Sequence, residues 1–108
     1  MLSLGNLITE MLKDKEPVVD RDLGCAYGAG SKLIVAKTSI ASHQHADVDE
    51  FIYVIGGEGT LTVGDKVMPL ILGGFALAPR GVSHAVTKKG AKEVVLYIVQ
   101  SGKPCMAE

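Results

Sequence analysis

Apolar residues recur at helical spacing near the start of the chain, at Leu4, Leu7, Ile8, Met11 and Leu12. Ser3 stands where it can cap that helix. Gly5 inside it costs roughly 1 kcal/mol relative to alanine. The charged run Lys13 to Glu16 and then Pro17 end it. Beyond this point the pattern changes to short β-prone runs punctuated by glycine: Lys32–Lys37, Glu50–Ile55, Gly59–Val63, Lys66–Leu70, Gly74–Ala78, His84–Val86 and Glu93–Val99. Regular spacing of such runs predicts an all-β sandwich or barrel. Gly64-Asp65 reads as a two-residue hairpin loop of the glycine-first type. Gly56-Gly57-Glu58-Gly59 separates two strands, and Lys88-Lys89-Gly90 marks a further turn. Pro69 cannot donate to a ladder, so its strand is expected at an edge or to end there.

Composition narrows the class. A chain of 108 residues fits one domain, and 47% apolar residues suffice for a core without disulfides. The expected layout is an N-terminal helical segment over 1–16, a barrel over 30–100 and a tail over 101–108 with little to bury, hence mobile. A formal net charge of −1 offers no field to draw in nucleic acid or a membrane surface. Aromatics are scarce and tryptophan is absent, which removes stacking platforms for single strands. No apolar run approaches membrane-spanning length, and the interrupted N-terminus does not read as a signal peptide. Two cysteines, Cys25 and Cys105, are too few for a disulfide framework. Both are expected to be inert free thiols, which points to a reducing cytoplasm.

The candidate chemistry lies in the histidines. All three fall where one metal ion could use them: His43 and His45 two residues apart, with carboxylates shortly after, and His84 on a later strand. Side chains two apart on a strand point to the same face, so the first pair can grip one ion.

The segment from His43 to His84 resembles the paired motifs of the cupin superfamily, as in small single-domain microbial cupins. The first motif is His-x-His, three or four residues, a glutamate, six residues and a glycine; here these are His43, His45, Glu50 and Gly57. The second is glycine, five residues, Pro-x-Gly, two residues and histidine; here Gly73, Pro79, Gly81 and His84. Departures fall at scaffold positions, with Lys37, Gly74 and Lys88 where the motifs usually carry glycine, aspartate and asparagine. The resemblance implies a jelly-roll barrel, a double-stranded β-helix. It also implies a metal held by His43, His45, Glu50 and His84, and a homodimer.

Such a nitrogen–oxygen set suits iron(II), manganese, nickel, cobalt or zinc and leaves positions open for substrate; a structural zinc site would be closed and cysteine-rich. If Glu50 points inward, so do Ile52 and Val54, while Phe51 and Tyr53 face away, which puts the metal in a mostly aliphatic pocket. Asp47 and Asp49 read as a solvated loop, with Asp49 as a substitute for Glu50 the alternative; the spacing to Gly57 favours Glu50. Arg80 reads as a turn arginine, or as a partner for an anionic substrate. The helix is expected to cover the open side of the barrel or a partner subunit. The function implied is a small metalloenzyme acting on a small oxygenated molecule, of isomerase, dioxygenase, decarboxylase or lyase type. The alternative is a non-catalytic module that binds a sugar or another small molecule.

Overall fold

The computed structural model describes residues 1–102. Helix α1 (Leu4–Leu12) is followed by nine strands: β1 (Val18–Ala26), β2 (Ala29–Ala36), β3 (Ile40–His43), β4 (Asp49–Gly56), β5 (Glu58–Val63), β6 (Lys66–Pro69), β7 (Phe75–Ala78), β8 (His84–Lys89) and β9 (Val94–Ser101). The strands form two antiparallel sheets with orders β1-β2-β9-β4-β7 and β3-β8-β5-β6. This is the jelly-roll architecture expected of the chain.

The helix keeps its predicted bounds. The Asn6 N–H donates to the Ser3 side chain at 3.2 Å, and the Lys13 and Asp14 N–H groups close the other end on Glu10 and Met11. The seven expected strands are all present, each with one or both ends shifted by one to three residues. Gly64 alone carries a positive φ (61°) in the hairpin between Val63 and Lys66, as a glycine-first turn requires. Strand β6, which ends at Pro69, lies at a sheet edge.

Two strands have no apolar signature. In β1 the inner positions carry Asp20 and Asp22, and it is an edge strand, where charge is tolerated and protects against further pairing. Strand β3 is four residues long, mostly exposed and also at an edge.

The main core lies between the sheets and includes Ile34, Ala36, Ile52, Val54, Leu61, Val86, Leu96 and Ile98. A second cluster sits on the outer face of the five-stranded sheet. There Met11, fully enclosed, with Leu7 and Ile8 of α1, packs on Val19, Leu33, Val35, Val95 and Tyr97. The helix therefore covers the back of β1, β2 and β9 and not the open side of the barrel. Burial of this one apolar stripe accounts for a helix too short to persist alone.

Cys25 is not a free thiol, against expectation. Cys105 and the rest of the tail beyond residue 102 lie outside the described residues. The inference to a reducing compartment rested on free thiols and loses that support. Among the described residues no helix is long and apolar enough to cross a membrane.

Candidate metal centre

Strand pairing brings the histidines together. His43 ends β3 and lies directly opposite His84, the first residue of β8, so their side chains share a face. His45 follows two residues after His43. One ring nitrogen from each of the three histidines lies within 4.8 Å of the other two. Glu50 comes from the facing sheet. It is buried on the inner side of β4 with Ile52 and Val54, while Tyr53 faces out.

The carboxylate closes the cluster. Glu50 Oε1 lies 3.2 Å from His84 Nε2, and Oε2 lies 3.3 Å from His45 Nε2. Neither of those nitrogens has a hydrogen-bond partner, although both are buried. A buried polar atom left so costs about 1–3 kcal/mol, which an added group must offset. Two donor atoms at right angles, each about 2.1 Å from one ion, would lie about 3.0 Å apart. The residues present therefore fit a metal ion.

The neighbours of the cluster hold it in place. His43 Nδ1 lies 2.9 Å from the Ala41 carbonyl; donating there fixes the ring and leaves Nε2 free. His84 Nδ1 faces the Val82 carbonyl more loosely, at 3.5 Å. The Gln100 side-chain amide donates to Glu50 Oε2 at 2.7 Å. The Gly81 N–H donates to the His45 carbonyl at 2.7 Å, tying one motif to the other, and Gly81 has φ 75°, a left-handed conformation that favours glycine. At Gly57 a Cβ would fall 2.6 Å from the Val94 Cα, so the chain crosses between sheets where only glycine fits.

Electrostatics favour the unprotonated forms of Glu50 and His45. Burial pushes the Glu50 carboxyl up, but His84, Gln100 and the charges of His45 and Lys32 outweigh it and bring it down to about 2. Burial lowers His45, helped by His43, His84 and Lys32 and opposed by Glu50. A neutral imidazole and an ionised carboxylate are the forms that bind metal.

The other candidates lie elsewhere. Asp49 accepts from the Arg80 backbone N–H at 2.9 Å and pairs with its guanidinium at 3.1 Å, which holds the Asp49 carboxyl below its usual range. The pair braces the Pro79–Gly81 turn against β4 and occupies both side chains. Asp47 is exposed. Sequence reasoning missed Gln100, which belongs to neither motif; only its place at the end of an inward-alternating strand could have marked it. A separate cavity of about 290 Å³, lined by Val54, Leu61, Met68, Leu70, Ile71 and Phe75 among others, contains no titratable group.

A model of the cupin domain matches residues 32–100, which include the histidines, Glu50 and Gln100. The chain belongs to the cupin family. No curated protein matches it in sequence. Among solved structures it is similar to TT1209 from Thermus thermophilus, with 22% identity and a TM-score of 0.76 over 90% of this chain and 95% of that one. A cupin-2 domain protein from Shewanella frigidimarina matches at 22% identity and TM-score 0.75, over 94% of each chain. KdgF from Halomonas sp. matches at 17% identity and TM-score 0.73, over 85% of this chain and 87% of that one. At these identities the likeness concerns the cupin fold.

Proposed function

We propose that this cupin binds one divalent transition metal ion through His43, His45, Glu50 and His84 and acts as a small metalloenzyme on a small oxygenated organic molecule. One observation carries the reading: His45 and His84 each aim a buried, unpartnered Nε2 at the Glu50 carboxylate. Four protein ligands leave one or two positions open, and the mixed donor set suits iron, manganese, nickel, cobalt or zinc. When bound, such an ion supplies a Lewis acid toward a carbonyl or hydroxyl oxygen.

The chain's residues supply the rest. The Ala41 carbonyl orients His43, and Gln100 holds Glu50 in one rotamer while leaving Oε1 toward His84. Ile52 and Ile98, both buried, form a floor that excludes water beneath the ligands. Isomerase, dioxygenase, decarboxylase and lyase chemistry all fit this arrangement. A thermal-shift screen of metal-loaded protein against sugars, hydroxy acids and aromatic acids, with a product search on each hit, tests it. Product formation supports an enzyme. Stabilisation without turnover favours the second reading, a non-catalytic binding cupin. That reading draws on the Asp49–Arg80 pair, which ties up two charged groups near the motifs that could otherwise serve a reaction.

We also propose a homodimer. The outer face of β4 and β7 exposes Tyr53, Phe75 and Leu77, and Phe51 stacks on Phe75 at 5.9 Å. Ile71 and Leu72, just before β7 in the chain, are also exposed. A second copy would cover it as α1 covers the other half of the same sheet.

A further inference from the structure

The inner face of the five-stranded sheet is not uniformly aliphatic at its metal end. Lys32 lies opposite Asp22 on one side and Ile98 on the other, and Ile98 lies opposite Ile52. Directly opposed residues share a face, so Lys32 projects to the side that carries Ile52 and Glu50. In the adjacent row Gln100 stands between Gly30 and Glu50. At Gly30 an added Cβ would stand 3.9 Å from the Cys25 sulfur and from the Gly24 carbonyl, in ordinary contact, so the row beside Gln100 carries no side chain of its own at this position.

Lys32 is unusual for a lysine. Its side chain is only 16% exposed, whereas its partner Asp20, 2.9 Å away, is 47% exposed. A pair with so exposed a carboxylate contributes little to stability, while enclosing an ammonium is costly. The ammonium has three donors, and among the described residues Asp20 is its one hydrogen-bonded partner.

We infer that Lys32 and Gln100 form the recognition wall of the site, and that its substrate carries a carboxylate, held by the Lys32 ammonium while a second oxygen turns toward the histidines. This rests on the proposed metal centre and narrows its substrate class to organic acids.

Calorimetric titration of metal-loaded wild type, Lys32→Met and Lys32→Arg tests it, with lactate as the anionic probe and hydroxyacetone as the neutral one. Metal content is measured in each sample. Lys32→Met should keep its metal and bind lactate about ten-fold or more weakly, the worth of a charge-assisted hydrogen bond. Lys32→Arg should recover part of that loss, and hydroxyacetone binding should be the same in all three. Equal lactate binding in wild type and Lys32→Met overturns the inference. So does equal loss of both probes, or a metal-loaded wild type that binds no lactate. A wild type without metal defeats the metal centre itself, and is recognised by its metal content alone.

Discussion

Strands β4 and β9 run side by side through the barrel, and their inner faces differ from one end to the other. At one end Glu50 lies opposite Gln100, with three imidazoles above them; further along, Ile52 lies opposite Ile98 and Val54 opposite Leu96. The two regions share backbone pairing and the same degree of enclosure, with Glu50 2% and Ile52 1% exposed. The apolar rows gain stability from burial. The polar row spends enclosure on holding a carboxylate ionised. Stability and chemistry are thus separated by a step of two residues along one strand.

Breaking the apolar row should have the largest effect on stability. Ile52→Ala leaves a cavity and is expected to cost about 2–5 kcal/mol in denaturant unfolding. Metal stoichiometry should survive in the folded fraction; loss of metal at full folding would mean that the two rows are not separable.

Acid should attack the polar row, together with the Asp49–Arg80 pair beside it. Glu50 is lowered in the fold to about 2 from 4.5, so its stabilisation is complete above the ordinary carboxyl range and is lost as pH falls toward 2. The shift corresponds to about 3 kcal/mol. His45 is also lowered, so below its ordinary 6.5 the unfolded chain takes up more protons and stability again falls with pH. Unfolding of the metal-free protein between pH 7 and pH 3 should show this slope, and Glu50→Gln should flatten its lower part. Metal affinity should fall in the same direction, because protons compete for the imidazoles.

A smaller effect is expected from Gln100→Leu. Removing the donor to Glu50 Oε2 should weaken metal binding about 10–100-fold, as loss of a partner to a ligand does. Unchanged affinity would confine the polar row to its four proposed ligands. Smallest should be Phe75→Ser on the exposed outer face, within about 0.5 kcal/mol for the single chain. Light scattering after gel filtration should nonetheless show loss of a dimer; a wild-type monomer contradicts the proposed pairing.

Much of this was legible in the sequence because it rests on period and spacing. Alternation through β4 put Glu50 on one face with Ile52 and Val54, and the helical stripe set the bounds of α1. Glycine and proline marked Gly57, Gly64 and Gly81, positions where the backbone itself demands them. Strands β1 and β3 were not legible, since edge strands need no apolar alternation. Nor was the docking side of α1, because its stripe fits any apolar surface. Gln100 and Lys32 escaped because their roles come from cross-strand register, which local sequence does not reveal.

The metal centre is tested most directly by the metal content of the purified protein and its His84→Ala variant, measured by plasma mass spectrometry on folded samples. A site built from His43, His45, Glu50 and His84 predicts about one equivalent of transition metal in the wild type and a large loss in the variant. Equal metal content in the two proteins, or none in a wild type supplied with these metals, would contradict it.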